Sequence, residues 1–274
     1  MNNPLFLSQL KPALKLCWKN RVLVALCGLI DIIFFFALML IHYHVLKRIV
    51  GLVQSLMEEV QSTLAGAIAQ QDITQLKPAL MKSAEFMTAY HQIIKHAVIF
   101  LIAIFLAWII FKSMNWYLAN RIVKGKISFK SYAKYFAIYS LLWFAGLMII
   151  LCILMWMLSY AASTVLPIIS HTGARIIAAI LTLTLAYFAF ISFSLIPKVK
   201  FKEVFIKGIK QWKQITPAYL LLIIITFLAG YIPLKISLWQ NPAAYWLVLA
   251  FVLFISIPAL SYGRIYISLV VNKA

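Results

Sequence analysis

Acidic residues are the scarcest charged class in this chain of 274 residues. It contains 6 Asp and Glu against 25 Lys and Arg, and charged residues make up only 11% of the sequence. Hydrophobic residues make up 65%, and the mean hydropathy is +0.97. A soluble domain of this length needs far more polar surface than this composition supplies. The sequence therefore predicts an integral membrane protein.

Cysteine is also rare, and the familiar catalytic motifs are missing. Cys17, Cys27 and Cys152 show no paired spacing, which argues against a disulfide framework or a zinc motif. The sequence contains no H-E-x-x-H, G-x-S-x-G, P-loop or G-x-G-x-x-G pattern, and no predicted span carries paired carboxylates. We therefore predict a protein that is not an enzyme and binds no cofactor, and enzymology on lipid ranks last among the functions considered.

Long apolar runs dominate what is present. Six runs are long enough to supply the roughly 20 helical residues that cross a hydrocarbon core. They cover residues 22–46, 96–117, 136–160, 175–196, 217–237 and 245–268. Pro258 lies inside the sixth run and predicts a kink there. The predicted fold class is an all-α membrane protein with six transmembrane helices, forming a single polytopic membrane domain over residues 1–274.

The distribution of basic residues predicts the orientation. Most Lys and Arg fall in the N-terminal segment, after the second run, after the fourth run and at the C-terminal end. The positive-inside rule therefore places both termini in the cytoplasm of a multi-pass cell-membrane protein. The basic residues cluster at the ends of apolar runs rather than on one soluble face. This favours anionic lipid headgroups over nucleic acid as the partner.

Three segments ahead of the first, third and fifth runs have the pattern of basic amphipathic helices. In each, apolar residues recur at helical spacing on one face and lysines occupy the other. Such helices lie in the headgroup layer of a bilayer. The first segment covers residues 7–19. In the other two, the candidate lipid-interface residues are Phe129, Lys130, Lys134, Phe201, Phe205, Lys207, Lys210, Trp212 and Lys213.

Residues 47–95 form the only extended polar segment. Apolar residues alternate spacings of three and four in both halves, as in Val50, Val53 and Met57. This pattern predicts an extracytoplasmic helical hairpin that continues the first two spans, with arms reaching roughly 35 Å. The apolar seam either holds the two arms together or docks a helix of a protein partner.

Asp31 is the only acidic residue inside a predicted span, and Arg264 lies near the cytoplasmic end of the sixth. We place them at the same depth as the only opposite charges there, and they form a candidate intramembrane polar pair. Their contact requires the first and sixth spans to be neighbours. The alternative is a neutral Asp31 that is hydrogen-bonded to Ser, Thr or Tyr of a neighbouring span.

Histidine offers no metal site by its spacing. His42, His44, His91, His96 and His171 all fall on or near the predicted outer side, and no H-x-x-x-H pattern is present. A metal site needs three or four converging ligands. We therefore predict that these histidines are interfacial polar residues, and we predict no metal.

Three sequence segments carry a family resemblance. They are N-W-Y-L-A-N-R at 115–121, S-L-I-P-K-V-K-F-K at 194–202 and G-R-I-Y at 263–266. With these segments, six spans and a long hairpin after the first span, the chain resembles a group of uncharacterised archaeal six-span integral membrane proteins. The resemblance implies the fold, but it brings no activity, substrate, cofactor or site residue with it.

Two function classes remain. The sequence favours a non-enzymatic scaffold, or a membrane protein that binds a protein partner or lipid. The alternative is a membrane transporter, or a transporter subunit, that uses Asp31 within the bundle. A stoichiometric partner in native membranes would favour the first class, and solute uptake by the reconstituted chain alone would favour the second.

Overall fold

The computed structural model describes residues 5–69, 82–163, 170–197, 200–237 and 242–274. Over these ranges all regular secondary structure is helical, and no β-strand is present. Five helices are long and apolar enough to cross a membrane, or six if one bent pair counts as a span. The predicted all-α class is therefore confirmed, and the structure contains five or six candidate membrane-spanning helices.

The described ranges contain eleven α-helices. They are α1 (Leu5–Ser8), α2 (Leu10–Lys19), α3 (Arg21–Ala69), α4 (Ala84–Ala107), α5 (Ser113–Lys124), α6 (Phe129–Ser163), α7 (His171–Leu195), α8 (Phe201–Lys210), α9 (Trp212–Ser237), α10 (Pro242–Phe251) and α11 (Ile257–Lys273). The local sequence determines where several of these helices begin or end. The side chains of Ser83 and Ser170 cap α4 and α7, and Gly125 ends α5 with a φ of 83°.

Two π-helical turns interrupt otherwise continuous helices. Trp108–Lys112 joins α4 to α5, and Val252–Ser256 joins α10 to α11. The second turn directly precedes Pro258, which has no N–H and whose ring would clash with a carbonyl one turn earlier in a regular helix. The wider turn removes this clash, and the helix resumes with Pro258 in the first turn of α11. The irregularity expected at Pro258 thus takes the form of a π-helical turn.

The chain divides into two compact units. We call Met1–Ile32 with Phe111–Ala274 the bundle unit, and Ile33–Ile110 the arm unit. The arm unit contains the predicted hairpin and extends beyond it at both ends. Within it the rings of Phe34 and Trp108 pack 6.4 Å apart, and Ser83 Oγ donates a hydrogen bond of 2.7 Å to Glu59. The break predicted between the two arms, at residues 70–72, and the start of the second arm lie outside the described residues.

The predicted seam of the arm unit, which continues to Val60 and Leu64, is partly covered at those two residues but not before them. Val50, Val53 and Met57 are 46%, 41% and 56% exposed, whereas Leu52 and Leu56 are partly covered. The hydrogen bond between Ser83 and Glu59 explains which face turns inward, because Glu59 lies on the Leu52 and Leu56 face of the helix. An apolar stripe is therefore left on the surface of the arm unit.

α11 is the centre of the bundle unit. It packs against α2, α5, α7 and α9, and Ile265, Tyr266 and Val270 are completely buried. Every residue from Gly263 to Val271 is buried, so other helices surround this part of α11 on all faces. Its neighbour α7 in turn packs against α6 along much of its length.

The prediction of a separate interfacial helix at residues 129–136 is wrong. α6 runs without a break from Phe129 to Ser163, so these residues are its first turns. Tyr132 and Phe136, which lie on the apolar face of this segment, are completely buried, and the Tyr132 hydroxyl donates to the Phe193 carbonyl at 2.8 Å. The first and third segments do form short separate helices, α2 and α8, and α8 meets α9 at a bend of 95°.

Candidate functional site

The bundle unit brings four polar side chains together from three helices. Asp31 lies on α3, Lys112 ends the first π-helical turn, Asn115 lies in the first turn of α5, and Arg264 lies on α11. We call these four residues the Asp31 cluster. Lys112 and Asn115 are three positions apart, so a helical backbone presents both on one face.

Hydrogen bonds engage both oxygens of Asp31. Arg264 is bidentate, with Nη1 at 2.7 Å from Oδ2 and Nη2 at 2.9 Å from Oδ1. Oδ1 also accepts from Lys112 Nζ at 2.7 Å and from Asn115 Nδ2 at 2.8 Å. Asp31 is completely buried, and the side chains of Lys112 and Arg264 are 9% and 10% exposed. Bidentate, charge-assisted pairs of this kind are the strongest hydrogen bonds in proteins.

The charges of the cluster do not cancel. An ionised Asp31 carries one negative charge against the positive charges of Lys112 and Arg264. Each ion loses its hydration on burial, which is tolerable only when its partners are close and well oriented. The amide oxygen of Asn115 accepts no hydrogen bond from the part of the chain that the structure describes. The arrangement therefore tethers α3, α5 and α11 through one carboxylate.

This geometry changes the interpretation of Asp31. Its partners are two cations and an amide, not the hydroxyls that a neutral acid was expected to find. The expectation that Asp31 and Arg264 carry the only opposite charges at this depth is wrong. Lys112 falls inside the apolar run 96–117, so a third charge lies within a predicted span. The position of Lys112 inside this run was the signal in the sequence that could have identified it as a partner of Asp31.

A second buried polar network lies beside the cluster and was not predicted. Asn120 of α5 donates to the Phe193 carbonyl at 2.9 Å and to the Tyr132 hydroxyl oxygen at 3.1 Å. Its own oxygen accepts from Ser268 Oγ at 2.9 Å. Asn272 extends the network to the α7 backbone. These bonds connect α5, α6, α7 and α11, so polar side chains specify packing on both sides of α5.

The predicted lipid-interface residues divide into two groups. Lys130, Lys134, Lys210, Trp212 and Lys213 are exposed, and Phe129 is 45% exposed. Phe201 and Phe205 instead belong to an aromatic group, in which Phe205 contacts the rings of Trp143 and Phe188 at 6.0 and 4.7 Å. Phe201 is 39% exposed and also packs on Trp143 at 5.4 Å.

The packing of α8 explains this division. Val204 is completely buried, and a Cβ on Gly208 would lie 2.7 Å from Phe188. The α8 backbone therefore approaches α7 closely at Gly208. Lys207 is partly covered, while the lysines further along the chain point away from the protein. Val204 and Phe205 on the apolar face of α8 therefore pack against protein, whereas Ile209 on the same face is 64% exposed.

No group of three metal-binding side chains converges within the described ranges. His91 and His96 contact the carbonyls of Met87 and Gln92, one turn earlier on their own helix. Cys17, Cys27 and Cys152 are free thiols. Burial raises the pKa of the Cys17 thiol to about 11, so this thiol stays protonated at neutral pH.

The Asp31 cluster predicts an unequal set of stability losses. Asp31→Asn leaves two buried cations without a counter-ion and should cost about 3–5 kcal/mol. Arg264→Gln and Lys112→Gln should each cost less, because Asp31 keeps one cation. The double variant Asp31→Asn with Arg264→Gln should lose less than the sum of its single variants. Thermal unfolding in detergent measures each loss.

Arg121→Gln is the matched control, because Arg121 is an exposed cation on α5. Its effect should stay within about 0.5 kcal/mol. Strictly additive losses for Asp31 and Arg264 would contradict a direct interaction between them.

Comparison of the chain with known protein families, curated proteins and solved structures found no match, so the functional argument depends on the geometry described above.

Proposed function

We propose that this chain is a non-enzymatic scaffold of the cell membrane that binds anionic lipid along its cytoplasmic side. The observation that carries this proposal is the closed state of the Asp31 cluster. Asp31 is completely buried, both of its oxygens are engaged, and it lines none of the described cavities. A carboxylate that loads a solute or proton needs access from one side of the membrane, which favours a structural role for Asp31.

We further propose six membrane crossings with both termini in the cytoplasm. The crossings are α3, α4 with α5, α6, α7, α9, and α10 with α11. The bend of 95° between α8 and α9 supports this arrangement, since a helix perpendicular to a spanning neighbour lies along the membrane surface. The exposed lysines at the start of α6 and the end of α8 would then share the cytoplasmic side.

The arm unit would present a surface for a protein partner outside the cytoplasm. Its exposed apolar stripe of Val50, Val53 and Met57 supports this part of the proposal. Residues at spacings of three and four are the usual anchors when one helix docks on another.

The lipid part of the proposal predicts a charge effect at the α8–α9 bend. Replacing Lys207, Lys210 and Lys213 with Gln should weaken the preference for anionic over zwitterionic lipid by about 1 kcal/mol per exposed charge. Lys207 should contribute less because it is partly covered. Spin-labelled phosphatidylglycerol and phosphatidylcholine in proteoliposomes measure this preference.

A matched control replaces three exposed lysines of the arm unit, Lys47, Lys82 and Lys95, with Gln. This control should leave the preference of the cytoplasmic leaflet unchanged. An unchanged preference in the first variant would contradict lipid binding at the bend. Solute flux in the same proteoliposomes that Asp31→Asn abolishes would support the transporter instead.

The topology predicts opposite accessibility of two exposed positions. Single cysteines at Ser62 of the arm unit and at Lys126 after α5 should be placed in a background without native cysteines. In intact cells an impermeant maleimide should label Ser62→Cys, and it should label Lys126→Cys only after permeabilisation. Labelling of both positions from one side would contradict the six-crossing arrangement.

A further inference from the structure

A cavity of about 440 Å³ lies in the bundle unit between α2, α3 and α11. This size falls within the roughly 300–1,000 Å³ of typical small-ligand sites. Its walls are mostly apolar, and it opens onto a surface that includes Leu29, which is 51% exposed. The residues that matter below are Trp18, Arg21, Ala25, Gly28, Leu253 and Ser261.

The cavity extends along α3 and α11, which form two of its walls. A Cβ on Gly28 would lie 2.9 Å from Ile257 Cγ2, whereas Ile265 clusters with Leu23 and Val24. The later α11 residue thus meets the earlier α3 residues, so α3 and α11 are antiparallel. Arg21 consequently lies at one end of the cavity and Leu253 at the other.

Two polar groups line this cavity without a partner among the described residues: a hydroxyl that makes no hydrogen bond and a cation that makes no ion pair. Ser261 is 2% exposed, and its hydroxyl makes no hydrogen bond within the described ranges. A buried hydroxyl without a partner is costly, and such groups are rare in folded proteins. Arg21 is exposed at the mouth, and no acidic side chain of the described residues forms an ion pair with it. The site therefore has one cation, one deeper hydroxyl and apolar walls.

We propose that this cavity holds one anionic phospholipid of the bilayer. The phosphate binds Arg21, beside the exposed ring of Trp18, which suits the headgroup layer. The Ser261 hydroxyl, whose oxygen is fully covered in this structure, donates to an ester carbonyl of the glycerol backbone after a rotation of its side chain, and an acyl chain lies along Ala25, Gly28 and Leu253. This inference rests on the proposed lipid-binding function and assigns that function a second, specific site.

The spacing of the polar groups fits a phospholipid. The antiparallel alignment puts Ser261 level with about Ala25, four residues from Arg21. At 1.5 Å per residue the hydroxyl lies about 6 Å deeper than the start of α3. Ester carbonyls lie just below the phosphate in a bilayer, so one lipid can reach both groups. A soluble peptide or solute would gain little from walls that already face the acyl chains.

The test uses the full chain in nanodiscs of phosphatidylcholine. The probe is a trace of phosphatidylglycerol that carries a diazirine in one acyl chain, and the labelled peptides are mapped by mass spectrometry. We expect labels in residues 21–32 and 253–261, about five-fold stronger than with the matching phosphatidylcholine probe. Arg21→Gln should reduce labelling to the phosphatidylcholine level, and Arg121→Gln should leave it unchanged.

A second variant fills the cavity. Ala25→Trp should abolish labelling of residues 253–261, whereas Val22→Trp should not, because Val22 is 76% exposed and does not line the cavity. Ala25 is itself on the surface, so the larger side chain should leave the fold intact. If Ala25→Trp lowers the melting temperature, its labelling result is set aside. The comparison of Arg21→Gln with Arg121→Gln then decides whether the lipid site exists.

Three results would overturn the lipid site: equal labelling by the two probes, labelling that is insensitive to Arg21→Gln, or no label at these residues. If general anionic preference then persists and still depends on Lys207, Lys210 and Lys213, only the cavity site is wrong. If the chain shows no anionic preference at all, the proposed function fails with it.

Discussion

A carboxylate buried among apolar helices must be neutralised where it lies, and this constraint organises the bundle unit. Asp31 meets it with Arg264, Lys112 and Asn115, which come from two other helices. Each of these helices is therefore fixed in rotation and depth relative to α3. α11 is held in this way through Arg264, whereas its apolar contacts alone would tolerate sliding. The network of Asn120 and Ser268 adds a second restraint along α11.

The sequence predicted much of the fold because bilayer thickness and backbone hydrogen bonding allow few alternatives. Long apolar runs became helices, and the lone acid Asp31 pointed to a polar contact with Arg264. Lys112 was missed because a cation near a span end normally extends to the headgroups. Its inward direction follows from the π-helical turn at Trp108–Lys112, which the apolar pattern did not reveal. The spacing of apolar residues describes one helix at a time, so it also could not predict that α5 packs close to α3.

Amphipathic spacing fails in a membrane protein for a related physical reason. An apolar face can turn toward acyl chains or toward another helix, and both environments are equally free of water. Tyr132 and Phe136 turn toward α7, and Phe205 turns toward Trp143 and Phe188. The direction of a lysine side chain is easier to predict, because its charge is normally stabilised only by water or by headgroups. The exposure of Lys130, Lys134, Lys210 and Lys213 was therefore predictable, whereas the packing of the aromatic faces required the tertiary structure.

The central claim is that Asp31 is a carboxylate held between two cations and not a protonated acid available for transport. Infrared difference spectra between the wild type and Asp31→Asn, recorded in lipid at neutral pH, test this directly. The account predicts that the variant loses a carboxylate stretching band, and that this band is insensitive to external pH across the physiological range. Loss of a carboxylic acid carbonyl band instead would show that Asp31 is neutral and would contradict the ion cluster.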